Sequence, residues 1–240
     1  MASNNIIGTN QCELSKLQFC PPIKNSRGGQ MVPVLYSGHK FMLQTPFMKT
    51  PFGLSELILD GGEAKYTIPV SFKGRDQDKK IDTFCKIIEN LDDIIKTNAS
   101  SDEFSQRWFG KKMSAELVDE LYRPCVAHSK MPEKYAPTMK LKVRTRPSSG
   151  DLDLKVYNMK QQEISHTEIK PGSEVRCIIE FAPMWFVNKT FGISVQVVQV
   201  QMKPSQQIQG FAFNKMSDDS DSEQEETEST GNEIDDSDFM

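Results

Sequence analysis

Residues 138–158 read TMKLKVRTRPSSGDLDLKVYN. Met139, Leu141 and Val143 fall on one side of an extended chain, so Lys140, Lys142, Arg144 and Arg146 fall on the other. Alternation with a period of two marks a half-buried strand. The PSSG stretch at 147–150 has the residues of a hairpin loop, which would join this strand to LDLKVYN. That register sets Arg146 opposite Asp151 and Arg144 opposite Asp153, pairs that on their own account would be surface ion pairs. It also sets Lys142 beside Lys155 and Lys140 beside Tyr157, and like charges directly opposed disfavour folding. Same-face residues of a strand lie about 6.8 Å apart, twice the rise per residue. Phosphates of an extended single strand have roughly that spacing, about double the 3.4 Å per-strand rise of the duplex. Lys140, Lys142, Arg144, Lys155 and Tyr157 therefore read as a face that needs an external polyanion more than a merely solvated surface.

Working outward, EISHTEI, SEVRCIIEFA and KTFGISVQVVQVQM follow as strands. In the last the apolar phase slips between Val197 and Val198, which predicts a bulge or two-sided burial. Upstream, VPVLY, HKFMLQ, LSELIL and KYTIPVSFK are also strand-like, and Pro69 assigns the last to an edge or a bulge. Between the two groups, DKKIDTFCKIIENLDDIIKTN repeats apolar residues every three or four positions, with Asp76, Asp78 and Asp82 at its start and Lys96 at its end. That is an amphipathic helix. SAELVDELY predicts a second, shorter one, with Ser114 as N-cap and Pro124 closing it. Strands, a helical insertion and further strands describe a mainly β chain, a closed or partly open barrel with an inserted helical segment. Residues 1–30, polar and ending in NSRGGQ, read as a flexible N-terminal arm, 31–216 as the body, and 217–240 as a disordered acidic tail.

Charge divides along the same lines. The tail holds eleven of the 33 acidic residues and none of the 29 basic ones, so the body keeps 29 against 22, about +7, while the tail carries about −11. A second basic cluster is RWFGKKM, where Arg107, Trp108, Phe109, Lys111 and Lys112 surround Gly110. Rings there could stack bases while the lysines hold phosphates, or Trp108 and Phe109 could anchor the core between the helices. QTPFMKTPFGL either presents Phe47, Lys49 and Phe52 on an extended segment or plugs the barrel with its rings, and Trp185 in APMWFVNK reads as core. Five cysteines without a Cys-x-x-Cys pair, and three histidines at no ligand spacing, indicate neither a disulfide framework nor a metal site. No catalytic motif, cofactor motif, signal peptide or membrane-length apolar run is apparent, so a non-enzymatic, intracellular protein off the membrane is expected.

LQTPFMKTPFGL, KYTIPVSFKG, RWFGKKMS with the following ELYRP, and MWFVNKTFG occur in this order over roughly residues 31–203. In them the chain resembles the single-stranded DNA-binding proteins of nucleocytoplasmic large DNA viruses, relatives of phage OB-fold replication proteins with acidic tails. The resemblance implies an OB-fold-like five-stranded barrel with extra strands and cooperative single-strand binding. It further implies service in viral replication, recombination and repair, in a host cytoplasmic factory or the host nucleus. It highlights Trp108, Phe109, Lys111 and Lys112, and leaves a homodimer open. A tethered polyanion would compete for the cationic face. Its tip, Ile234, Asp235, Asp236, Asp238 and Phe239, would recruit partners such as a polymerase or helicase-primase through an apolar pocket with a basic rim. Met240 after Phe239 departs from tails that end on the ring itself. The rival readings are an acidic-tailed chaperone or adaptor for basic proteins such as histones, and a virion structural β-protein.

Overall fold

The computed structural model describes residues 5–26, 28–58, 61 and 64–204, all within a unit spanning Met1–Ser205. The acidic tail, with Ile234 to Phe239, lies outside the described residues. Ten strands position the site: β1 (Met42–Gln44), β2 (Met48–Lys49), β3 (Ser55–Ile58), β4 (Ala64–Ser71), β5 (Thr138–Val143), β6 (Lys155–Tyr157), β7 (Glu174–Phe181), β8 (Met184–Val187), β9 (Thr190–Gly192) and β10 (Val195–Met202). Three helices, α1 (Lys79–Ser100), α2 (Asp102–Phe109) and α3 (Ala115–Leu121), separate β4 from β5.

Alternation along β5 is as the sequence predicts, with Met139, Leu141 and Val143 buried and Lys140 and Lys142 exposed. The strand lies antiparallel to β4 over its whole length, Tyr66 facing Val143 and Ser71 facing Thr138. On its other edge β5 meets β10 in parallel, through Lys142 and Gln196. β10 runs antiparallel to β7, and β7 antiparallel to β1 and β2. β2 in turn lies against β4, closing the circuit. Taking β1 with β2 as the first of five strands, the spatial order is first, fourth, fifth, third, second, and the third–fifth contact alone is parallel. This is the five-stranded Greek-key barrel of the OB-fold, with the helical segment inserted between its second and third strands. Inside it, Leu43, Ile68, Val70, Leu141, Cys177, Ile179, Val197 and Val200 form the core. Pro69 sits where β4 has lost its ladder to β3, which ends at Thr67 and Ser55, so its missing N–H leaves no gap there.

The phase slip in the last strand is a bulge. Ile178 faces Gln199 and Ile179 faces Val197, which leaves Val198 as the extra residue. Either side of it, Val195, Val197, Val200 and Met202 all stay buried.

α1 begins where Asp78 caps the Lys80 N–H at 2.8 Å, and α3 where Ser114 caps Leu117 at 3.3 Å. α2 takes in Arg107 to Phe109 of RWFGKKM, a helix that the periodic pattern did not predict. Ser101 caps it, Asp102 and Glu103 occupy its first turn, and Gly110 ends it in the left-handed conformation. The irregular-arm reading of residues 1–30 is corrected. Ile6–Gly8 pairs in parallel with β1, whereas Leu17–Phe19 pairs antiparallel with Val34–Tyr36 and Ile23–Lys24 antiparallel with Gln30–Val32. Ile7, Leu14, Leu17 and Phe19, sparse among polar residues, pack on the core and give these short strands something to bury. No described helix is long and apolar enough to cross a membrane.

Asp92 ties α1 to the segment that follows α3. Only 5% exposed on α1, it accepts the Tyr122 hydroxyl at 2.6 Å and the Cys125 N–H at 3.1 and 3.0 Å. Burial pushes its carboxyl up, and these bonds oppose the rise. Asp92→Ala should cost about 1–3 kcal/mol for each donor left without a partner, read as a lowered urea midpoint. Tyr122→Phe, which keeps the Cys125 bond, should cost less.

Candidate nucleic-acid interface

Residues directly opposed across a sheet share a face. From Lys142, the pairing runs to Thr67 on β4 on one side and to Gln196, Glu180 and Met42 on the other. A second outward row holds Lys155, Gln199, Ile178 and Gln44. A third holds Tyr157, Gln201 and Arg176. Lys65, two residues along from Thr67, and Lys140, two from Lys142, extend the first row to either side. One outer barrel face thus gathers Lys65, Lys140, Lys142, Arg144, Lys155, Tyr157 and Arg176.

Three carboxylates share this face: Glu163, opposite Tyr157, has no ion pair among the described residues, and Glu180 and Glu174 are engaged. Glu180, with a side chain 12% exposed, meets Lys40 at 3.0 Å and Arg144 at 2.6 Å. Burial acts to raise its carboxyl, but the hydrogen bonds from Arg144 and Lys40 outweigh it and hold the group below its ordinary value. Glu174 pairs with Lys203. Lys65, Lys140 and Lys155 have no ion-pair partner among the described residues. Lys142 donates to Ser194 Oγ at 2.8 Å, and its ammonium is pushed down by burial first and by Lys65 second. Cations crowd here without enough acid to balance them.

The hairpin register holds only near its turn. Arg146 N–H donates to Asp151 O and Asp153 N–H to Arg144 O, both at 2.8 Å, and Thr145 bridges Leu152. Arg146 also meets Asp153 at 3.7 Å, but Arg144 turns to Glu180 rather than Asp153. Beyond that point the strands part, because β10 takes the edge of both. Lys142 faces Gln196 and Lys155 faces Gln199, so Lys142 does not oppose Lys155, nor Lys140 Tyr157.

The RWFGKKM block does not join this face. Trp108 is 2% exposed, its ring packed by Phe19 at 5.6 Å, Phe104 at 5.1 Å and Phe186 at 6.4 Å, so it is a core side chain and offers no face to a base. Its Nε1 is buried without a hydrogen-bond partner. Phe109 packs edge-on against Phe186 and Phe191. Arg107 pairs with Glu103 at 3.0 Å and Lys112 with Asp102 at 2.6 Å; Lys111 is exposed. Phe52 does not plug the barrel but is 66% exposed, while Phe47 lies beneath Arg176 at 5.0 Å and Lys203 at 4.7 Å. Trp185 is half-buried, facing Gly192 across β8 and β9.

Lys65, Arg176, Glu180 and the outward glutamines were not singled out from the sequence. The strict alternation of EVRCIIEF, which turns Arg176, Ile178 and Glu180 outward, is the signal that finds them. Among the described residues no three His, Cys, Asp or Glu side chains gather to hold a metal ion.

Fold and face together define a Greek-key barrel protein with a cation-rich outer sheet. The chain belongs to a family of unknown function (DUF5871), whose model matches residues 73–216. No curated protein matches it. Among solved structures it is similar to the single-stranded DNA-binding protein from bacteriophage Enc34 in complex with ssDNA, at 18% identity, covering 80% of this chain and 99% of that one, with a TM-score of 0.46. It is also similar to gp2.5, a single-stranded DNA-binding protein encoded by bacteriophage T7, at 12% identity, covering 74% and 99%, with a TM-score of 0.44.

A depressed folded-state carboxylate contributes stability that is complete above its unfolded value, near 4.5 for Glu180, and is lost as pH falls through the lower folded value. Urea unfolding followed through that range should show this acid loss reduced in Glu180→Gln.

Proposed function

We propose that this protein binds single-stranded DNA with little sequence preference along the outer face of β4, β5, β6 and β10. The observation that carries the reading is the set of lysines, Lys65, Lys140 and Lys155, left without ion pairs among the described residues, with Lys65 close enough to Lys142 to disfavour its charge. In an OB-fold the face of the second and third strands is where oligonucleotides bind. Here those strands are β4 and β5. Lysine, a point charge on a flexible stem, suits a phosphate chain held without regard to sequence. Arg144, bound to Glu180, supports the face rather than contacting the ligand.

Non-catalytic service in viral DNA replication, recombination and repair, inside a host cell, belongs to the same proposal and rests on the sequence motifs. So do the acidic tail's competition for this face and its recruitment of replication proteins, which rest on its charge of about −11 against a body of about +7. In a chaperone or adaptor for basic proteins the tail would be the binding element, and its removal would abolish function instead of releasing the face.

Titration with oligo(dT) should give affinity that falls steeply with salt. Each of Lys65→Ala, Lys140→Ala and Lys155→Ala should flatten the log–log salt slope by about 0.7, the single-strand value per phosphate contact. Removing residues 217–240 should tighten binding, and Lys111→Ala should leave the slope unchanged.

A further inference from the structure

The second and third outward rows enclose a concavity of about 400 Å³, within the range of small-molecule sites, roughly 300–1,000 Å³. Its lining has an unusual chemistry. Ile178 offers an apolar floor, and Tyr157, Gln44, Gln161 and Gln199 surround it. None of these four side chains makes a hydrogen bond among the described residues. Gln201 is committed, accepting from Arg176 Nε at 2.7 Å and donating to Asn158 O at 3.3 Å. That leaves the outer guanidinium nitrogens of Arg176, which is held over Phe47 and lines the concavity, without a hydrogen-bond partner among the described residues. No carboxylate lines the concavity; Glu163, opposite Tyr157 in register, stands on the far edge of β6.

We propose that this concavity is a nucleobase subsite, in which one base of a bound single strand lies against Tyr157 and Ile178 and has its edge read by the free glutamine amides. The inference rests on the single-strand reading above and adds a part that the lysines do not supply. A phosphate would seek several cations, and only Arg176 is present. An amide carries both a donor and an acceptor, as does the edge of a base, and glutamine pairs in bidentate fashion with the adenine edge. Tyr157 gives a ring for stacking, a contact that every base can make. Spacing agrees as well. Lys155 and Tyr157 are two residues apart on one face, about 6.8 Å, so a phosphate held on Lys155 leaves the neighbouring nucleotide at Tyr157.

The test compares the full chain on oligo(dA), oligo(dT) and an abasic backbone of equal length. Wild type should bind both base-bearing strands more tightly than the abasic one, and oligo(dA) more tightly than oligo(dT). Tyr157→Leu should lose roughly 5- to 100-fold on the base-bearing strands while its abasic affinity and salt slope stay put. Gln199→Ala, an independent surface change, should narrow the oligo(dA) preference. Lys155→Ala, in contrast, should weaken all three strands and flatten the slope. Equal losses on abasic and base-bearing strands in Tyr157→Leu, or an oligo(dA) preference untouched in both variants, would overturn the subsite and leave the lysine face standing. Failure of wild type to bind any of the three, abasic included, would overturn the single-strand reading and the subsite with it.

Discussion

One strand is held on both edges, and the rest of the barrel depends on it. β10 lies antiparallel to β7 along one side and parallel to β5 and β6 along the other. A parallel neighbour cannot be reached through a tight turn, so β5 and β10 must be joined by a long crossover. Residues 144–194 form that crossover, and within it β7 pairs with β10 before the chain turns back. β5 and β6 pair one after the other with the same edge of β10, so the hairpin between them stops at Arg144 and Asp153. β10 also brings side chains from β5, β6 and β7, distant in sequence, onto one lattice of outward rows.

That lattice determines which charges remain available. Glu180 sits at its centre, nearly buried, and draws in Lys40 and Arg144. A carboxylate so placed needs such partners, because removing either would leave charge in a region poor in water. The two cations around it are therefore structural. What is left outward is a set of lysines without ion pairs among the described residues, beside glutamines that are neutral and capable of both donating and accepting. Attraction for a phosphate chain and discrimination among uncharged groups are thereby carried by different residues on neighbouring rows.

Much of this was legible locally. The alternation of β5, the register at Arg146 and Asp151, the helix with its Asp78 cap and the slip at Val198 all follow from short-range chemistry, since turn, cap and period are set by adjacent residues. The opposition of Lys142 to Lys155 failed because the strand that both β5 and β6 pair with lies some fifty residues away, beyond what pattern alone can supply. α2 was missed because eight residues make a weak periodic signal, and an aromatic pair among cations looks like a binding loop. Yet Ser101 before two acids, the apolar spacing of Phe104 and Trp108, and a closing Gly110 spell out a capped helix with a buried face. The N-terminal strands were obscured for a different reason: each is two or three residues long, and only their partners make them strands.

Val198 acts as a spacer as much as a side chain. Because it adds one residue without a counterpart on β7, Gln196 and Gln199 both emerge on the same surface although an odd number of steps separates them. Losing a single residue at this point would close the bulge into regular ladder, with Val197 inward, the next residue outward and Val200 and Met202 still buried. Length in this strand accordingly carries one residue of slack at the bulge, and away from it a residue gained or dropped would reverse the faces of all that follows.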